Sequence, residues 1–221
     1  MLNPTKSRWF YPVTFVAAAT PLALLLYNLA PLLVPLWWPD VTLPWESDLG
    51  VNPAQTLIRS TGKDAFILLV ASLAVTPIRR LLGWNRIQLV RRMLGVWSFV
   101  YGVAHLSSYV IFDKLGNVSE IVEDVFKRRF IFVGMLTFVI LTLLAATSTN
   151  GMMRRLGKRW QRLHRLVYVA AVTATVHFVW GQKADIRDPL MWAAILTLLL
   201  GIRVFYVVRK VRSRRLVAAS R

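Results

Sequence analysis

Apolar residues along this chain come in long runs, each bounded by a cluster of charged residues. A bilayer core about 30 Å thick takes roughly 20 such residues in one helical crossing. Six runs reach that length, at about 9–29, 64–82, 93–112, 130–149, 160–181 and 190–208. The pattern predicts an all-α, polytopic membrane protein of six transmembrane helices, forming one transmembrane domain over residues 1–221. The first run follows a basic start, as a secretory signal does. Pro12 and Pro21 interrupt it and no small-x-small cleavage motif follows, so it is expected to stay as a helix. Residues 30–60 read as a long, Pro-rich outer loop whose Trp37, Trp38 and Trp45 suit an interfacial belt or, less simply, a docking surface.

Composition agrees with the pattern: 56% hydrophobic residues and a mean hydropathy of +0.52 are too apolar for a soluble globule. The formal net charge of +18 would suit nucleic acid if it formed one basic face. It is instead divided among short segments flanking the runs, so nucleic acid is not an expected partner and the lipid bilayer is. Positive residues near short loops stay on the cytoplasmic side. Lys6 and Arg8, then Arg79, Arg80, Arg86, Arg91 and Arg92, then Arg154, Arg155, Lys158, Arg159, Arg162 and Arg165, then Arg209, Lys210, Arg212, Arg214 and Arg215 mark that side. Asp40, Glu46, Asp48, Asp113, Glu120, Glu123, Asp124, Asp185 and Asp188 fall opposite, with Lys127, Arg128 and Arg129 as a local exception. Both termini are therefore expected in the cytoplasm, with the chain in a bacterial inner membrane.

The absence of cysteine excludes disulfides, thiolate metal ligands, iron–sulfur clusters and thioether-linked heme. No repeat of fixed period and no soluble-domain linker stands out, so flavin or molybdenum domains of ordinary size are expected on other proteins.

The only histidines, His105, His164 and His177, fall in or at the edge of the third and fifth runs. Ionisable side chains inside a membrane are costly and mark function by default. At 1.5 Å of rise per residue, His105 lies about 20 Å past Arg91 and Arg92, and His177 about 22 Å past Arg162. Two imidazoles at one depth on two helices are what axial ligation of a heme iron requires. Gly95 and Gly102, with Ala170, Thr173 and Ala174, suit a slot for a macrocycle, or else close helix packing. His164 sits about 20 Å below His177 and, on an ideal helix, roughly 140° around from it. It marks a second heme site, but the matching level of the third run holds Arg91 and Arg92 in place of histidine. Those two and Arg159 are candidates to pair with heme propionates or a flavin phosphate. The runs hold almost no carboxylate except Asp64, which weighs against a proton-coupled transporter.

The segments TSTNGMMRRLGKRWQRLHRLVY (147–168) and RRMLGVWSFVYGVAHLSSYV (91–110), with TGKDAFILL and VTPIRR in the second run, closely resemble the MsrQ (formerly YedZ) family. That family lies in the ferric-reductase-like transmembrane superfamily, which includes the NADPH oxidases. The resemblance implies a heme-binding, electron-transfer subunit of a methionine sulfoxide reductase system, with no substrate chemistry of its own. It implies heme b ligated by His105, His177 and His164, and FMN as a further cofactor. The implied electron donor is the quinone pool or a cytosolic flavin reductase. The implied acceptor is the periplasmic, molybdopterin-containing methionine sulfoxide reductase subunit MsrP. A ferric or quinone reductase-type cytochrome, and a heme-free transporter or scaffold, are the alternatives.

Overall fold

The computed structural model describes residues 10–44, 46–182 and 185–219, without the side chains of Phe10, Arg86, Lys210 and 214–219. Lys6, Arg8, Trp9 and Trp45, and the side chains of Arg86, Lys210, Arg214 and Arg215, to which the sequence assigns roles, lie outside that description. The described residues are helical, with no strands, and include six helices long and apolar enough to cross a membrane. All-α architecture with six candidate spans therefore holds.

The helices overrun the apolar runs. α1 (Phe10–Trp37) continues through Pro31 and Pro35, eight residues beyond the expected end. In lipid, stopping a helix leaves every terminal backbone group without water, whereas an internal proline frees only one or two. α2 (Pro53–Leu82) starts well before the apolar stretch: Asn52 caps it by accepting from Gln55 N at 3.1 Å, and Pro53 occupies the first turn. The connection expected over 30–60 shrinks to residues 38–52.

Tyr101, with no exposed surface, repairs the break at Pro21. Its hydroxyl accepts from Leu22 N and donates to Ala18 O, both at 2.8 Å, so it stands between the donor and acceptor of one helical i→i−4 bond. Tyr101→Phe is expected to leave both groups unpaired and to cost about 1–3 kcal/mol. Thermal unfolding in detergent and faster amide exchange at Leu22 would show it; unchanged exchange would mean that α1 closes its own bond there.

α3 (Gln88–Ser108) is tied to α2 by Ser98 Oγ, which donates to Ala65 O at 2.8 Å. It runs on into a wide π-helical turn, Tyr109–Asp113. Next comes a helix that the sequence pattern did not predict, α4 (Val118–Lys127), capped by Asn117 and Glu120, which bond reciprocally. At ten residues it is too short to show as an apolar run. Asp124 anchors it: its carboxylate meets Lys114 Nζ at 2.7 Å and Arg128 Nε at 3.0 Å, and accepts from the Tyr109 hydroxyl at 2.8 Å.

Burial works to raise the Asp124 carboxyl, but the Lys114 ammonium, the Tyr109 hydroxyl and Arg128 outweigh it and hold the group below its ordinary 3.8. A depressed folded-state value stabilises above the unfolded one. The anchoring of α4 is therefore expected in full above pH 3.8 and to be lost as pH falls below it. Amide exchange across α4 against pH checks this, and Asp124→Asn should flatten the profile.

α5 (Arg129–Ala146) leads to two short helices, α6 (Asn150–Leu156) and α7 (Lys158–Leu163), then to α8 (Leu166–Gly181) and α9 (Arg187–Ala219). The fifth crossing is thus α7 and α8, joined through a tightened turn at His164 and Arg165 rather than one ideal helix. Arg165 N, Val167 N and Tyr168 N each bond three residues back. α9 continues through Arg209 and Arg212, which read from sequence as a tail following the last span. α2 packs along α3, and α5 along α8. Leu69 and Leu73 of α2, Ile140, Leu141 and Leu144 of α5, Ala170 and Ala171 of α8 and Leu196 of α9 join these pairs in one buried cluster.

Candidate functional site

The two helix pairs each present one histidine to the space between them. His105 of α3 and His177 of α8 have ring centres 6.0 Å apart, with planes at 79°. Depth counting along the sequence sets them at one level, and the fold brings them side by side, edge toward face. The ring Nδ1 of His105 lies 2.8 Å from Ile58 O on α2, and that of His177 lies 2.7 Å from Phe130 O on α5. A carbonyl oxygen only accepts, so each Nδ1 carries the proton and each Nε2 keeps its lone pair. Metal-ligating imidazoles are oriented in this way, by a backbone carbonyl on the nitrogen away from the metal.

With Nδ1 of each ring committed to a carbonyl, the two Nε2 lone pairs are the groups that would hold a metal such as a heme iron between α3 and α8.

Each ring lies against a glycine of the paired helix. A Cβ at Gly62 would sit 2.9 Å from His105 Nδ1, and one at Gly134 would sit 2.6 Å from His177 Nδ1. No larger residue fits at Gly134 without moving the ring. Gly62 precedes His105 by 43 residues and Gly134 precedes His177 by the same 43; the two carbonyls each lie 47 residues before their histidine. The expectation of no internal repeat is corrected here: the α2–α3 and α5–α8 pairs carry one device twice, 72 residues apart. Few side chains are shared between the copies beyond the glycine, the histidine and the pair Phe66 and Phe138. Sequence reading missed Gly62, Gly134 and the carbonyls of Ile58 and Phe130; the repeated Gly-to-His spacing was the available signal.

The small residues proposed for a slot divide. Ala170 is fully buried in the core, and Thr173 accepts from the Thr137 hydroxyl of α5 at 2.7 Å, so these two serve close helix packing. Gly95 and Gly102 do not, since a Cβ would meet nothing within 4 Å at Gly95 and only Phe138, at 3.9 Å, at Gly102.

His164 sits apart from the pair. Its ring stacks on Trp160 at 3.9 Å, and its Nε2 lies 3.1 Å from Thr147 Oγ1. The Thr147 hydroxyl donates to Leu143 O at 2.8 Å, so it accepts from His164, whose Nδ1 then keeps the lone pair. Trp160 Nε1 donates to Thr147 O at 2.9 Å and fixes the stack. The angular separation expected of an ideal helix does not apply across the tightened turn at 164–165. Seventy-two residues before His164 stands Arg92, where a symmetric site would need histidine. Its Nη1 donates to Asn150 Oδ1 at 2.6 Å and lies 3.1 Å from Met153 Sδ, which ties α3 to α6. Arg159 is exposed on α7.

A family model described as "Ferric reductase like transmembrane component" matches residues 61–175. That stretch takes in Gly62, His105, Gly134 and His164 and stops two residues before His177. Relatives named protein-methionine-sulfoxide reductase heme-binding subunit MsrQ align over most of the chain. The protein of Ralstonia nicotianae is 46% identical over 166 residues, 74% of this chain and 76% of its own. That of Rhodospirillum rubrum is 46% identical over 184 residues, 83% and 88% respectively. That of Xanthomonas axonopodis is 43% identical over 164 residues, 73% and 75%. No solved structure matches the chain. With the family model spanning half of its length and such relatives spanning most of it, the chain belongs to the ferric reductase like transmembrane family, in the branch that holds the MsrQ subunits.

Proposed function

We propose that this protein moves electrons across the membrane through b-type heme ligated by His105 and His177. The observation that carries the reading is the facing pair of imidazoles, each with Nδ1 held on a backbone carbonyl. A heme in that position supplies reversible one-electron chemistry at iron, tuned by its axial ligands and apolar surroundings. The protein's part is positional. Ile58 and Phe130 carbonyls orient the two rings, Gly62 and Gly134 let the paired helices approach them, and the core between the helix pairs keeps water out.

The electrons come from the quinone pool or a cytosolic flavin reductase and leave to a periplasmic, molybdopterin-containing methionine sulfoxide reductase subunit, MsrP. The name shared by the relatives, heme-binding subunit of a protein-methionine-sulfoxide reductase, supports the methionine sulfoxide reductase end of this path. The charge pattern supports an inner-membrane chain with both termini cytoplasmic, and with it a position for the His105–His177 pair in the outer half. His164 would serve a second heme near the cytoplasmic face, with Arg91, Arg92 and Arg159 as candidates to pair with its propionates or with FMN phosphate. The mix of a histidine with Thr147 and Trp160 on one side and arginine on the other supports a site unlike the first.

A reduced-minus-oxidised difference spectrum of the purified chain tests the reading. Heme bands that disappear when MsrP and a methionine sulfoxide substrate are added are expected. Reoxidation by ferric chelates but not by MsrP would favour a ferric reductase, and a colourless protein would defeat the heme assignment. His164→Ala is expected to remove part of the absorbance.

A further inference from the structure

We infer that α4 lies in the lipid–water interface, with Val118, Val122 and Phe126 set among the lipid acyl chains. At about 100° of turn per residue these three share one stripe about 80° wide. They are 70%, 50% and 79% exposed. Ser119, Glu120, Glu123 and Lys127 form the next stripe around the helix and are exposed as well, with Glu123 paired to Lys127 across one turn. The remaining face, where Asp124 is buried and Ile121 and Val125 are half-buried, is turned to the protein. A helix whose outer surface divides into one apolar and one charged stripe fits the boundary between hydrocarbon and water.

The division is held in place from the protein side. The Asp124 carboxylate meets Lys114 Nζ at 2.7 Å and Arg128 Nε at 3.0 Å and accepts from the Tyr109 hydroxyl at 2.8 Å. Three partners on one buried carboxylate fix the roll of α4, so the apolar stripe cannot turn inward without breaking them.

The turn that leads into α4 points the same way. Leu115 is the only non-glycine residue among the described ones with a positive φ, 47°. Gly116 N donates to Val110 O and Asn117 N to Lys114 O, both at 2.8 Å, which closes the turn around it. Just past a helix end, glycine takes this conformation without strain, whereas leucine does not. The Leu115 side chain is 86% exposed, so contacts within the protein do little to offset that strain. Acyl chains account for an apolar side chain held out there, and water does not.

Two further features favour lipid over a protein partner. α4 joins the crossing that ends in the Tyr109–Asp113 turn to the one that begins at Arg129, which sets it at the membrane face away from α6 and α7. Ile111 before it and Phe132 after it, both on crossing segments, are exposed too, so apolar surface runs along the chain from one crossing through α4 to the next. As one side of a stable protein interface, Leu115 and the three stripe residues fall far short of the roughly 20 residues required.

The chain has no cysteine, so a single one can be introduced and spin-labelled with no native thiol to remove. The test uses the full chain in vesicles of phosphatidylcholine and phosphatidylglycerol, with labels at Val118→Cys, Val122→Cys and Phe126→Cys on one stripe and Ser119→Cys and Glu123→Cys on the other. Collisions with dissolved oxygen are expected to exceed those with a water-soluble nickel chelate on the first stripe, at a depth of about 5–10 Å, and the ratio is expected to reverse on the second. Equal nickel access on both stripes would put α4 in water and overturn the proposal. Shielding of the first stripe from both reagents would mean that protein covers it, and dipolar broadening between labels would identify that protein as a second copy; either result overturns the proposal. A lipid bearing a diazirine on its acyl chain, photolysed with the unsubstituted chain in the same vesicles, keeps the test sound if a label disturbs the helix. Carbene insertion within residues 115–126 is expected. Insertion into α1 and α9, whose apolar side chains are exposed, with none in α4 would overturn the proposal.

Discussion

His105→Ala and His177→Ala are each expected to remove the main heme absorbance from the purified protein while circular dichroism still reports a helical chain. The two ring centres lie 6.0 Å apart, and each ring is oriented by a backbone carbonyl that no substitution at the histidine disturbs. On the proposed reading, removing either imidazole takes away one of the two residues that would hold the heme, and His164, about 20 Å away toward the cytoplasmic side, cannot stand in for it. The helices themselves rest on Leu69, Leu73, Ile140 and Leu144, which neither substitution touches. Full heme retention in both variants would sink the assignment. Loss of absorbance together with loss of helical signal would report unfolding rather than ligation, which is why both are measured on one sample.

The second expected result concerns a residue with no functional group. Gly134→Ala places a methyl carbon 2.6 Å from His177 Nδ1 and 2.7 Å from its Cε1, closer than real contacts allow. The ring must move, and with it the 2.7 Å bond to Phe130 O that sets its tautomer. Loss of such an orienting bond typically weakens metal binding about 10- to 100-fold, and heme retention under competition with apomyoglobin should fall by that order. Gly62→Ala should act in the same direction but less, because the nearest approach to His105 is 2.9 Å. Gly201→Ala, where a Cβ meets nothing within 4 Å, should stay within about 0.5 kcal/mol of wild type in stability and leave heme retention unchanged. If Gly134→Ala behaved like Gly201→Ala, the close approach would have no bearing on the site.

These predictions mark where reading the sequence succeeded and where it stopped. His105 and His177 stand out in sequence because a polar ring in an apolar run is rare, and helical rise alone sets the two at one depth. Gly62 and Gly134 do not, because a glycine in a transmembrane run is common and its meaning lies in what approaches it across a helix interface. The repeat of 72 residues escaped for a related reason: it consists of two backbone carbonyls, two glycines and two histidines, and carbonyls have no sequence identity at all. The His164 level was half legible. Arg92 in place of a histidine is visible from spacing, but its use on Asn150 depends on how α6 folds back.

By itself the sequence determined the class of the protein, the number of apolar crossings and the depth of the paired histidines, because hydrocarbon thickness and helical rise are properties of the solvent and the backbone. Only the tertiary structure decided how far the helices extend, that Tyr101 closes the gap in α1 and Asp124 pins α4, which carbonyls orient the two rings, and that His164 stands apart on a tightened turn. Those outcomes depend on which groups meet between helices, and no periodicity along one helix encodes them.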